Sequence, residues 1–428
     1  MFVHLDCNNF FVSCELVTRP DLQGRPVVVA NNNDNNGGII LALNQEAKAV
    51  GLRRGDPVFK VTKLIQANHV TVIDVHHNLY HDISHHIMEV VRQTEMVLNF
   101  VQYSVDEFFG EMPEDRPAYL RQYLQKLKDL IWAQTHIPVS CGAGETYTLA
   151  KTATHFAKQY AGYRGICIMK PDKREKALRL LPVEKVWGIG RRSFKTLNDA
   201  GVQTAYDYTQ RPELWIQKRF GRTGLNTWNE LKGKPSISIT GHGERQTSIM
   251  YSRTFAHMTD SKTVLQRELS NYAAAAARRL REQKALCERV TIFLASNRHR
   301  KDLAQYNNDA TLKLCTVTDD SQAIIKAALT LLDRIFIEGY QYKQAGVILS
   351  HFQHSGSVQL DLFEQRQPME IARKKRLMQA VDAINSRFGK NQIHFAVQGH
   401  DAQDEELAGF MRPHMIEDIS KKKSERRA

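Results

Sequence analysis

The sequence predicts an α+β protein of several domains, and three observations predict it. Two short apolar runs, Met1–Asp6 and Val101–Glu107, read as buried strands that each end in acidic residues. Segments 79–98 and 117–132 carry apolar residues at helical spacing. Ile83, Ile87, Val90 and Val91 share one face of the first, and Leu120, Leu124, Leu127 and Ile131 one face of the second. From 246 onward the elements run β-α-β-β-α-β, the ferredoxin-like plan. Carboxylate-bearing strands covered by two helices make a palm-like α+β layer, with a smaller domain after it.

Composition narrows the class. The chain has 428 residues, 42% of them hydrophobic, enough for several cores. Lys and Arg number 59 against 46 Asp and Glu, so the net charge is +13 and a polyanion partner is expected. No run of about 18 apolar residues is present, so no membrane span is expected. The N-terminus reads directly into a strand, so no signal peptide is expected. The six cysteines, at 7, 14, 141, 167, 287 and 315, form no Cys-x-x-Cys pair. They read as reduced core residues of a cytoplasmic protein.

Along the chain, Asn8–Glu15 can start a helix and Pro26–Ala30 reads as a strand. Asn31–Gly38 is a loop by composition. Ile39–Ala42 reads as a strand, and Gln45–Val50 as a helix ended by Gly51. Strands at 101–105 and 137–141 flank the helix at 117–132. His77, His81 and His85 fall at i, i+4 and i+8, a spacing that suits either a transition metal or an exposed polar face. Only Asp82 lies close enough in sequence to complete a metal set, and the polar face is preferred.

Residues 186–202 form a helix-hairpin-helix pattern around Gly188 and Gly190. Glycines there would let the backbone approach a phosphate, and the following helix would aim its N–H groups at it. The alternative is an ordinary glycine-capped turn. The second domain reads as strand 248–256, helix 263–284, strands 288–295 and 311–317, helix 321–337 and strand 342–349. Arg278, Arg279, Arg281 and Lys284 crowd its first helix, and Arg298–Lys301 its central loop. Each cluster is either solvated charge or a DNA-backbone contact. The linker is expected at Lys232–Arg245. The tail, 351–428, is polar and broken and ends in the basic run Lys421–Arg427. Within it Gln359-Leu360-Asp361-Leu362-Phe363 is an apolar motif in polar surroundings, a strand edge or a docking peptide.

Asp6, Asp106 and Glu107 carry the candidate chemistry. A carboxylate at a buried strand end needs a cation or water. Three on adjacent strands would make a hard oxygen site suited to Mg²⁺, and two such ions can clamp the attacking and leaving oxygens of a phosphoryl transfer. The other reading is that all three are solvated acids.

The sequence resembles the Y-family translesion DNA polymerases, and within them the UmuC-like catalytic subunits of DNA polymerase V. The resemblance rests on Asp6-Cys7-Asn8-Asn9-Phe10-Phe11, Glu46-Ala47-Lys48, Tyr103-Ser104-Val105-Asp106-Glu107, Leu149-Ala150-Lys151 and Ala157-Lys158. The hairpin at 186–190 and the tail segments Leu377–Asp382 and Phe395–Gly399 fit it too. It implies a right-hand fold: palm at 1–12 and 76–167, fingers at 13–75, a helix-hairpin-helix thumb at 168–231, a linker at 232–245, a little finger at 246–350 and a tail from 351. It implies template-directed synthesis on primer-template DNA from dNTPs, with two Mg²⁺ ions on Asp6, the Cys7 carbonyl, Asp106 and Glu107. Phe10, Phe11, Lys48 and Lys158 would bind the nucleotide, with Phe11 excluding a 2′-hydroxyl. Gly188, Gly190, Arg278, Arg279 and Arg281 would bind DNA. Gln359, Leu360, Leu362 and Phe363 would bind a sliding clamp. A processed UmuD-type subunit and a RecA filament are the further partners implied, with a nucleoid-associated location during an SOS-type response. A non-catalytic clamp-recruiting scaffold and a stand-alone Y-family enzyme are the competing readings.

Overall fold

A computed structural model describes residues 1–31, 38–112, 119–239, 246–354, 368–389 and 392–399. The chain divides into two units, Met1–Gly243 and Glu244–Ala428, and the division falls inside the expected linker.

The first unit begins β1 (Phe2–Cys7), α1 (Phe10–Thr18), β2 (Val27–Ala30), β3 (Ile40–Leu43), α2 (Gln45–Ala49), α3 (Val58–Ala67), β4 (Thr71–Asp74) and α4 (His77–Gln93). It continues β5 (Leu98–Gln102), β6 (Glu107–Glu111), α5 (Leu120–Thr135), β7 (Val139–Gly144), α6 (Tyr147–Gln159) and β8 (Ile166–Ile168). The helices α7 (Pro171–Leu180), α8 (Arg191–Asp199), α9 (Ala205–Gln210) and α10 (Glu213–Leu231) complete it. A five-stranded sheet has the order β5-β6-β1-β7-β8, and a three-stranded sheet the order β3-β2-β4.

Strand alternation sorts the two faces of β1. Val3, Leu5 and Cys7 enter the main core with Ile83 and Ile87 of α4 and Leu120, Leu124, Leu127 and Ile131 of α5. His4 and Asp6 point the other way, toward α6. Helix α6 lies close on β7 because Gly142 has no side chain. A Cβ there would stand 2.2 Å from Ala150 O and Thr154 N. The N-cap Thr146 and the buried Glu230 fix the start of α6. Thr146 Oγ1 accepts from Leu149 N–H, and Glu230 Oε2 accepts from Thr148 N–H at 2.9 Å.

Several expectations need correction. Val101–Glu107 is not one strand: β5 ends at Gln102, residues 103–106 turn, and β6 starts at Glu107. The 12/13 boundary cuts through α1, whose Phe10, Val12 and Cys14 belong to the main core together with Val27, Val29 and Ile73. Cys315 is exposed, whereas the other five thiols are buried, and all six are free.

The second unit holds β9 (Ser248–Thr259), α11 (Lys262–Glu282), β10 (Ala285–Ser296), β11 (Asn307–Thr318), α12 (Ser321–Ile335) and β12 (Tyr342–His354). These pair antiparallel in the order β11-β10-β12-β9. Leu265, Leu269, Tyr272, Ala276 and Leu280 of α11 pack with Val290, Ile292 and Leu294 of β10. The tail is not simply broken chain. It forms α13 (Pro368–Phe388), which buries Met378, and a short turn at Ala396–Gln398. Gln398 Nε2 donates to Asn271 Oδ1 of α11 at 3.0 Å.

Candidate active site

Asp6 and Glu107 are Cα partners in the antiparallel β1–β6 ladder. Directly opposed residues project from the same sheet face, and like charges so placed repel. Helix α6 supplies the cations. Lys158 Nζ donates to Asp6 Oδ1, and Lys151 Nζ lies 2.7 Å from Glu107 Oε2. The two lysines are about two turns apart, so both reach the same sheet face. The side chains of Asp6 and Glu107 are 17% and 20% exposed, so water screens them little. Burial pushes the Asp6 carboxyl up to about 6. Lys158 pulls against that shift, and Glu107 and Asp106 add to it.

The turn at 103–106 sets the third carboxylate. The N–H groups of Tyr103 and Ser104 both donate to Glu107 O, at 2.9 and 3.1 Å, which closes the turn. The hydroxyl of Ser104 donates to Asp106 Oδ1, and Cys7 N–H donates to Asp106 O at 2.9 Å. Beneath the site, His4 is fully buried. Its Nδ1 bonds Thr154 Oγ1 at 2.9 Å, and its Nε2 stands 4.0 Å from Glu107 Oε1 with no hydrogen-bond partner. Burial, then Lys151 and Lys158, hold the imidazole well below its ordinary pKa, so it is neutral.

Carboxylate and carbonyl oxygens at a desolvated point match the donor chemistry of Mg²⁺. The raised Asp6 carboxyl is a group that gains from a nearby cation. Among the described residues no three His, Cys, Asp or Glu side chains already converge on one ion position. Each acid is turned instead to its own partner: Lys158, Ser104 or Lys151. His77, His81 and His85 lie exposed on α4, and His85 pairs with Glu89 at 3.4 Å.

Phe11 is partly buried and stacks on Tyr80, with ring centroids 4.3 Å apart and planes at 14°. The hydroxyl of Tyr80 donates to the buried Glu15 carboxylate at 2.6 Å, which also bonds His76 Nδ1 at 2.9 Å. Phe10 is 3% exposed and lies in the core, so its ring is removed from the nucleotide set. Lys48 donates to Asn9 Oδ1 at 2.9 Å. Partial burial, then the nearby Lys158, lower its pKa.

Gly188 has φ +90°, and Gly190 is the N-cap of α8. The element before this hairpin is a single 3₁₀ turn, Val183–Lys185. Arg278 and Arg279 each pair with Glu282 at the exposed end of α11, at 3.4 and 3.3 Å. Arg281 leaves the DNA-contact set. Its side chain is 11% exposed and holds Asp382 of α13 through two bonds of 2.6 and 2.8 Å, and Asp319 O at 2.6 Å. Gln359, Leu360, Leu362 and Phe363 lie outside the described residues. Sequence reasoning passed over Lys151, Ser104, His4 and Tyr80. Lys151 had a signal in its Leu149-Ala150-Lys151 motif, whereas His4 had only its place two residues before Asp6.

The fold is that of the Y-family DNA polymerases. A Y-family chimera of Dbh and Dpo4 superposes with a TM-score of 0.65 at 19% identity, covering 82% of this chain and 99% of that one. An insertion ternary complex of Dbh DNA polymerase gives 0.53 at 19% identity, covering 82% and 99%. The impB/mucB/samB family matches residues 5–155, its C-terminal domain residues 246–362, and a domain of unknown function residues 375–405. Protein UmuC of Salmonella typhimurium is 35% identical over 406 residues, 94% of each chain. Protein MucB of Escherichia coli is 35% identical over 404 residues, also 94% of each. DNA polymerase IV 2 of Halalkalibacterium halodurans is 26% identical over 401 residues, 92% of this chain and 93% of that one. The chain belongs to the impB/mucB/samB family and is a UmuC-like member of the Y-family.

Proposed function

We propose that this chain is a DNA-directed DNA polymerase that copies damaged template bases at low fidelity. The observation that carries the reading is the opposed pair Asp6 and Glu107 beside Asp106, with two lysines facing them. A clamp-recruiting scaffold would have no use for three carboxylates whose desolvation is costly. Relatives named UmuC, MucB and DNA polymerase IV, matched along nearly the whole chain, support the same reading.

Asp6, Asp106, Glu107 and the Cys7 carbonyl would hold two Mg²⁺ ions, which when bound acidify the primer 3′-hydroxyl and offset phosphate charge. Lys48 and Lys158 attract the triphosphate and stabilise the departing pyrophosphate. Phe11, held flat on Tyr80, sits under the sugar and excludes a 2′-hydroxyl. Gly188, Gly190 and the N-terminus of α8 receive a DNA phosphate, and Arg278 and Arg279 add backbone contacts.

Residues 1–18, with α1 kept whole, and 76–167 act as palm, 19–75 as fingers, 168–231 as thumb and 246–350 as little finger. Gln359–Phe363 docks on a sliding clamp. A processed UmuD-type subunit and a RecA filament complete the assembly in the cytoplasm during an SOS-type response. Among the described residues no helix is long and apolar enough to cross a membrane. Primer extension with Mg²⁺, with and without these partners, tests the proposal.

A further inference from the structure

The turn that carries Asp106 touches Trp187 of the hairpin at 186–190. Its indole Nε1 donates to Tyr103 Oη at 3.2 Å. Its ring lies edge-on to Tyr103, with centroids 5.5 Å apart and planes at 88°, and 5.4 Å from Phe109. The ammonium of Lys151 is within cation–π reach of both aromatic faces, 5.1 Å from the Tyr103 centroid and 5.6 Å from that of Trp187. The same ammonium is paired with Glu107.

Lys151 thus sits between a carboxylate and two rings. A divalent ion on Glu107 would repel an ammonium at ion-pair distance. Lys151 is only 23% exposed, so a full return to water is not its shortest path. A small rotation toward the rings keeps the charge stabilised.

We propose that Tyr103 and Trp187 form the seat that receives the Lys151 ammonium when a divalent metal ion takes Glu107. Trp187 is then a positioning residue that couples the 186–190 hairpin to occupancy of the carboxylate site. The inference rests on the metal-binding reading above, and its test separates the two.

The test uses the full chain labelled with 5-fluorotryptophan, the Trp187 signal being assigned with Trp187→Phe. Binding of Mn²⁺ is measured in parallel by electron paramagnetic resonance, without nucleotide. The expected result is a ¹⁹F shift of the Trp187 signal on Mg²⁺ addition that is lost in Lys151→Met, with Mn²⁺ affinity rising about 2- to 5-fold in that variant, the range of one partly exposed ion pair. An equal shift in both proteins, or no shift while Mn²⁺ binds, would overturn the seat and leave the metal site standing. Absence of Mn²⁺ binding would overturn both. Lys151→Gln removes the charge but keeps a polar stem and the Trp187 reporter, so the same comparison is made with it if Lys151→Met is unstable.

Discussion

Asp6 and Glu107 face each other across the β1–β6 ladder, and each is held by its own lysine from α6. Two partly buried like charges in register make the folded chain sensitive to pH and to cations.

The first consequence is a pH-dependent stability. The folded Asp6 carboxyl is raised to about 6, above its ordinary value. The folded state therefore binds the proton more tightly than the unfolded state. Asp6 costs nothing below about pH 4, its cost grows from about pH 4 to 6, and it is fully present above that, reaching about 3 kcal/mol. Asp6→Asn should stabilise the metal-free protein at pH 7 and make no difference at pH 4. Urea denaturation across that range checks it, and a gain independent of pH would contradict it.

Phe11→Ala should admit ribonucleotides. Its ring lies on Tyr80, which Glu15 anchors, so the platform survives the truncation. The ratio of rNTP to dNTP incorporation should rise about 10- to 100-fold, the usual worth of a few apolar carbons in a pocket. An unchanged ratio would make Phe11 a packing residue only.

Arg281 should act on the tail and not on DNA. Arg281→Met strands Asp382 and should destabilise the packing of α13 by about 1–3 kcal/mol. Limited proteolysis within Pro368–Phe388 reads that loss. The salt dependence of DNA binding should stay unchanged in Arg281→Met and flatten in Arg278→Ala with Arg279→Ala, since each lost phosphate contact removes about one unit of log–log slope. A flatter slope in Arg281→Met would return that residue to the DNA contacts.

Leu362→Ala with Phe363→Ala should lower affinity for a sliding clamp by about 2 kcal/mol, as loss of apolar anchors usually does. Extension of short primers without clamp should not change. Wild-type clamp affinity in the double variant would remove the docking role.

Much of the site was legible in sequence because strand ends and acids are local signals. The strand-end pattern pointed to Asp6, Asp106 and Glu107 as candidates, and the resemblance to Lys48 and Lys158. The turn at 103–106 was not, since Val101, Tyr103 and Val105 alternate as a strand does and no Gly or Pro marks the break. Glu107 O takes two N–H bonds inside the turn, and the long-range pull is the register of Glu107 with Asp6. Lys151 and Arg281 show the same limit in opposite directions. A lysine in an ordinary helix meets Glu107, and an arginine in a basic cluster is consumed by Asp382, 101 residues away. Helix α13 was hidden because, among its described side chains, Met378 is the one that is buried.

The most direct measurement of the central claim is primer extension with Mg²⁺ by the parent chain and by Asp106→Ala, with DNA binding measured on both. The parent should extend the primer. Asp106→Ala should lose at least about 10³-fold in rate, since the lost metal contact costs several kcal/mol of barrier, while DNA affinity stays within a few-fold. Extension by Asp106→Ala within about tenfold of the parent would contradict the assignment of the carboxylates. Failure of the parent to extend, even with clamp, processed subunit and RecA filament present, would contradict the polymerase itself.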